Sequence, residues 1–146
     1  MLRLGQADFT CGRSRYLDIL KEAPEPTAKI FVKIAFEEDS EAGSWAQIDT
    51  GAAWSVLDPL IAKRLGFLDL DGERTELDTR LGRKVGVLAR LPFRFLADDG
   101  ENYTTEGTFF ISPYWPSGRT FLGYSGLLDG MRFALDPQAN HFYFGP

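Results

Sequence analysis

An all-β domain carrying one or two short helices is the fold class this sequence predicts. Two observations predict it. The chain is rich in aromatic residues, with 12 Phe, 5 Tyr and 3 Trp, and these pack well on a pleated, half-buried face. Its apolar residues also fall in short runs that alternate with polar ones and are punctuated by Gly, Pro, Asp and Asn, the pattern of strands joined by turns. At 146 residues the chain suits one domain with a core of its own.

Residues 1–27 read as an arm leading into the domain, broken by Gly5, Gly12, Pro24 and Pro26, with Tyr16 to Lys21 forming one helical turn or a short edge strand. The domain proper is expected over residues 28–146. Lys29 to Phe36 alternates branched and aromatic residues and predicts a strand. Glu37 to Gly43 is a polar turn, and Ser44 to Ile48 a return strand that delivers Asp49 at its end. Trp54 to Leu57 predicts a further strand. Asp58 is placed as the N-cap of a helix with Pro59 at its first position, ending at Gly66.

Thr75 to Arg80 and Lys84 to Phe95 predict a hairpin with its tip at Leu81-Gly82-Arg83. Asp98 to Asn102 reads as a second hairpin turn of the Asp-Gly kind, followed by a strand over Tyr103 to Ile111. After a loop at 113–118, Thr120 to Gly123 is a short apolar strand ending in glycine, and Tyr124 to Asp129 has room for about one helical turn. Met131 to Leu135 and His141 to Phe144 close the chain as a hairpin.

Composition excludes several function classes. A net charge of −5 and a pI of about 4.9 argue against nucleic acid, which requires a basic face. The single cysteine, Cys11, rules out an intrachain disulfide, and one Cys with one His, His141, does not make any of the usual zinc ligand sets. No metal and no cofactor are expected. His141 has no nucleophile motif near it, so a Ser-His or Cys-His site is not expected either. No apolar run approaches the ~18 residues of a membrane span, and the first residues lack the apolar core of a signal peptide. The expected location is the cytoplasm, without membrane association.

The chemistry-bearing stretch is Ala46-Gln47-Ile48-Asp49-Thr50-Gly51-Ala52. An apolar strand ends in a carboxylate, a hydroxyl and a glycine that permits a sharp turn. Alone, such a triplet also describes a turn in which Asp49 bonds its own backbone. Its context is more specific. The triplet is framed by strands, followed by a capped helix, and answered by a second apolar-apolar-glycine strand, Phe121-Leu122-Gly123, that enters Gly126-Leu127-Leu128.

On these residues, together with Ser55 to Pro59, Leu65-Gly66 and the closing hairpin of Phe133 to Phe144, the chain resembles the retropepsin-like aspartic proteases over about residues 29–144. The resemblance implies a closed β-barrel that is half an enzyme. Two copies meet about a two-fold axis, and each supplies one Asp-Thr-Gly, here Asp49, Thr50 and Gly51 as the catalytic loop. It implies a homodimer acting on an extended peptide or protein substrate. Ala52, Ala53 and Trp54 would contact that substrate from below, and the hairpin tip at Leu81, Gly82 and Arg83 from above as a flap.

Two places depart from the retroviral pattern. Ala53 and Trp54 stand where those enzymes carry acidic residues, and Tyr124 and Ser125 stand where they carry Arg and then Asp or Asn. Basic Arg80, Arg83 and Lys84 also replace a neutral flap; their simplest reading is a solvated hairpin, and the functional alternative is recognition of acidic peptides. The expected activity is an aspartic endopeptidase. The alternative is a module that keeps the fold for binding without turnover. A glycosidase would need a second positioned acid from the same chain, and Asp58 and Asp136 read more simply as cap and turn.

Overall fold

The computed structural model describes residues 1–20, 29–37, 39–116 and 118–146. The remainder of the expected arm with Pro24 and Pro26, Glu38 of the polar turn, and Ser117 of the loop at 113–118 lie outside the described residues. In chain order the elements are β1 (Arg3–Leu4), β2 (Ala7–Asp8), β3 (Gly12–Arg15), β4 (Ile30–Ala35), β5 (Ser44–Ile48), β6 (Ser55–Val56), α1 (Pro59–Arg64), β7 (Glu73–Thr79), β8 (Gly82–Phe95), β9 (Asp99–Gly100), β10 (Tyr103–Ile111), β11 (Thr120–Leu122), a 3₁₀ turn at Leu128–Gly130, β12 (Arg132–Asp136) and β13 (His141–Gly145). The all-β class is met.

The main sheet is curved by its pairings. β10 lies parallel to β6, β6 antiparallel to β11, and β11 parallel to β5. β5 is antiparallel to β4, β4 to β8, and β8 back to β10, so the succession returns to the strand it left. A ring of this kind leaves few unpaired strand edges. Its interior is filled by side chains of these strands, among them Val32, Phe93, Phe95, Phe109 and Leu122, with Leu57 just beyond β6 and with Phe142 and Phe144 reaching in from β13. The rings meet at centroid separations of 5.2 Å (Phe93–Phe95) and 5.6 Å (Phe93–Phe109). Each buried Phe contributes about 1.5–3 kcal/mol of transfer free energy, so this cluster is the main source of stability.

The helix forms as its sequence dictates. Asp58 accepts the Leu60 N–H at 2.9 Å, Pro59 opens the first turn, and Gly66 takes a left-handed φ of 73° just beyond the end. A second sheet runs β12–β13–β3–β9. Its strand β3 lies inside the segment expected to be an arm, and it pairs with β13 on one side and β9 on the other. Tyr16, only 7% exposed, joins the core cluster. The sequence Gly12-Arg13-Ser14-Arg15 has no apolar residue to announce a strand. Glycine at position 12 is required because a Cβ there would collide with the Phe144 ring and the Glu101 carbonyl.

The Asp98–Asn102 segment lies in the connection between the antiparallel strands β8 and β10, as expected of a hairpin, but its geometry differs from an Asp-Gly turn. Asp99 and Gly100 are not the corner of a two-residue hairpin. They form β9 against β3, while Asp98 Oδ2 accepts the Arg15 N–H at 2.6 Å and Asn102 Oδ1 the Ala97 N–H at 2.8 Å. Unpaired backbone of β3 is thus satisfied by a loop that sequence alone assigns to a local turn.

Candidate active site

Two short strands set side by side position Asp49. β5 and β11 run parallel, with Ile48 opposite Leu122. Asp49 leaves the end of β5, its N–H donating to the Leu122 carbonyl at 2.9 Å. The chain turns at once, since the Ala52 N–H donates to the Asp49 carbonyl at 3.1 Å and the Gly51 N–H to Asp49 Oδ1 at 3.1 Å. The second bond is an Asx turn, and it orients the carboxylate. Oδ2 accepts no hydrogen bond among the described residues. Asp49 is half-buried, while Thr50 and Gly51 are exposed.

Gly51 was expected to take backbone angles that other residues resist. It does not adopt a positive φ. A Cβ there would lie 3.4 Å from Asp49 Oδ1, an ordinary contact, so the absent side chain serves to keep the carboxylate and the exposed backbone uncovered.

The loop after β11 clasps the Asp49 loop from below. The Tyr124 N–H donates to the Ala52 carbonyl and the Ser125 N–H to the Ala53 carbonyl, both at 2.8 Å. The Gly123 N–H donates to the buried Ser55 Oγ at 2.9 Å. Gly123 passes so close to Trp54 that a Cβ would overlap the Trp54 carbonyl group. On the outer side Arg90 Nη1 donates to the Gly126 carbonyl at 2.7 Å and to Thr108 Oγ1 at 3.0 Å. Tyr124 and Ser125 therefore hold the Asp49 loop by their backbone, which any side chain permits. The Arg90 contribution was not legible, since nothing in the sequence ties position 90 to position 126.

A groove of about 710 Å³ runs over Asp49 and is lined by Ala52, Ala53, Trp54, Arg80, Leu81 and Trp115, among others. Gly51 also lines it, whereas Thr50, Gly82 and Arg83 do not. Trp54 is half-buried on its wall rather than sealed in the core. Trp115 and Phe121, edge to face at 6.1 Å, extend the apolar wall. Trp115 was not singled out from the sequence, because a loop Trp carries no motif, and Phe121 was read only as part of Phe121-Leu122-Gly123, not as a groove wall.

The roof of the groove is a two-stranded ribbon. Residues Val87 to Phe95 of β8 pair with β10, but Gly82 to Gly86 pair with β7 alone. The ribbon leaves the body at Gly86, where a Cβ would strike the Ile111 carbonyl, and Ser112 Oγ donates to the Val85 carbonyl at 2.6 Å. Its turn falls one residue earlier than expected, at Arg80-Leu81, because Thr79 pairs with Gly82. Thr79 Oγ1 accepts the Leu81 N–H at 3.0 Å and donates to the Gly82 carbonyl at 2.8 Å, and Gly82 takes a φ of 92°. Arg83 is thereby a strand residue. It binds Asp78 at 3.0 Å and Glu76 at 3.2 Å, and these carboxylates push its guanidinium pKa up.

Other acids are engaged elsewhere. Asp58 is a helix cap and Asp136 accepts the Gln138 N–H at 3.1 Å in its turn. His141 sits in the second sheet opposite Arg15. Among the described residues no three His, Cys, Asp or Glu side chains gather as a metal-binding set, and no helix is long and apolar enough to cross a membrane.

No family model and no curated relative matches the sequence. Among solved structures the chain is similar to a retropepsin-like aspartic protease from Rickettsia conorii, with a TM-score of 0.53 and 16% identity over 91% of this chain and 98% of that one. The strand ring, the Asp49 loop at its end and the ribbon above it are thus set in a fold shared with a retropepsin-like aspartic protease.

Proposed function

We propose that the protein is an aspartic endopeptidase whose site is completed at the two-fold axis of a homodimer. The observation that carries this reading is the placement of Asp49. It lies on the floor of a peptide-sized groove, at the end of paired parallel strands, beneath a ribbon, with one carboxylate oxygen unengaged among the described residues. One chain supplies one such carboxylate, and a C₂ dimer presents the same loop twice at its axis.

Two carboxylates brought together cannot both ionise cheaply, so they hold one proton between them, an effect for which aspartic proteases are the standard illustration. The proton belongs to the pair. The ionised partner takes a proton from water as the water attacks the scissile carbonyl, and the protonated partner donates to the carbonyl oxygen. The exposed Thr50 would bond across the axis, and the Gly51 backbone would face the substrate. Residues 28–146 hold all of these groups, and the ribbon of β7 and β8 would close over the peptide and exclude water.

Asp49→Asn is the test. Asn keeps an oxygen for the Gly51 N–H, so the fold is retained, while peptide hydrolysis falls by about 10²–10⁴-fold or more. Mixing wild type with excess Asp49→Asn protein suppresses activity as mixed dimers form. Unchanged hydrolysis by the variant dimer contradicts the proposal. A dimer that binds peptides without any hydrolysis would instead mark a binding module.

A further inference from the structure

The ribbon carries more positive charge than an acidic chain leads one to expect. Residues 73–90 hold Arg74, Arg80, Arg83, Lys84 and Arg90 against Glu73, Glu76 and Asp78, in a protein whose net charge is −5. These cations differ in what they do. Arg83 is engaged by Asp78 and Glu76. Arg90 is engaged by Glu106, Thr108 and the Gly126 carbonyl. Arg119, which lines a second groove with Trp45 and Trp115, lies over the Phe31 ring at 5.3 Å and reaches Gln47. Arg80 alone among the basic residues lines the groove over Asp49, and it makes no ion pair among the described residues.

The rest of that groove is apolar or already balanced. Trp54, Val56, Leu77, Leu81, Trp115 and Phe121 form its walls, and Asp78 is bonded to Arg83. We infer that Arg80 is a specificity-determining residue, which selects peptides bearing an acidic side chain close to apolar residues that fill the groove. This rests on the peptide-binding reading of the groove above Asp49. While the ribbon is open, an exposed guanidinium is well solvated and discriminates little. Once the ribbon covers a peptide, water is displaced and the same charge acts at lower dielectric. Arg is suited to this because its planar fork holds a carboxylate through two bonds. Asp49 on the floor repels a negative side chain placed directly against it. The acidic residue is therefore expected one or more positions from the bond above Asp49.

The test separates binding from turnover. Pools of ten-residue peptides are prepared with one position fixed as Glu or as Gln and the others randomised. Their binding to Asp49→Asn protein is compared with binding to protein that also carries Arg80→Glu. A Glu pool that binds about 10-fold tighter than its Gln counterpart at one position, a preference kept by Arg80→Lys, reversed by Arg80→Glu and weakened by salt, supports the inference. Equal binding of Glu and Gln pools at every position, absence of peptide binding, or an acidic preference that survives Arg80→Glu overturns it. Cleavage of the same pools by the wild type reads the other question. An Arg80-dependent acidic preference without cleavage rejects the protease reading and leaves Arg80 as a peptide-selecting residue. Cleavage without acidic preference does the reverse.

Discussion

Asp49 owes its position to small residues that leave no side chain in the way. Gly51 keeps the carboxylate uncovered, and Gly123 lets the second loop pass against the Trp54 backbone. Ser55 is fully buried and spends its hydroxyl on the Gly123 N–H. Gly123→Ala is therefore expected to destabilise the protein by about 1–3 kcal/mol, because the clash is with backbone that cannot rotate away. Thermal unfolding checks this, and an unchanged Tm would mean that the two loops separate without cost. The identity of these residues was legible in the sequence as Asp-Thr-Gly and Leu-Gly. Their mutual hydrogen bonds were not, since Ala52, Ala53, Tyr124 and Ser125 act through backbone, and backbone contacts leave no residue preference to read.

At the scale of elements, alternation and turn chemistry located the strands β4, β5, β7, β8, β10 and β11 and the capped helix α1. What they missed follows from two physical causes. β3 is a strand because its neighbours supply partners, not because Gly12-Arg13-Ser14-Arg15 favours one, so local pattern says nothing of it. The ribbon turn shifted by one residue because the Thr79 hydroxyl caps it at both sides, a tertiary choice among several turns that Arg80-Leu81-Gly82 allows. The ribbon beyond Gly86 pairs only with itself, and a lone two-stranded hairpin is marginally stable, which suits the closing role proposed for it. Nothing lies within 4 Å of a Cβ built on Gly82, yet its φ is 92°. Gly82→Val is thus expected to leave Tm nearly unchanged, as the tip rearranges without disturbing the core. It should lower kcat/KM by about 5–30-fold, the cost of holding a branched residue in a left-handed conformation. Equal activity in the variant would show that the tip does not engage the substrate.

For the whole molecule, the ring of strands closes a core dominated by phenylalanine and leaves the Asp49 loop at one end. Composition and charge argue against nucleic acid as a partner, but they have nothing to say about assembly, which depends on surfaces that no local pattern marks. The proposed activity depends on that assembly, because each chain offers one Asp49, and among the described residues Asp58 is occupied as a cap, Asp136 in a turn and Asp78 as an ion-pair partner. The distance between the two Asp49 carboxylates in a crystal structure of the dimer tests this most directly. Oxygens of the two groups within hydrogen-bond reach, about 2.5–3.2 Å, across a two-fold axis beneath the paired ribbons are the predicted result. A dimer that holds them beyond that reach, or a protein that stays monomeric at crystallisation concentration, would contradict it.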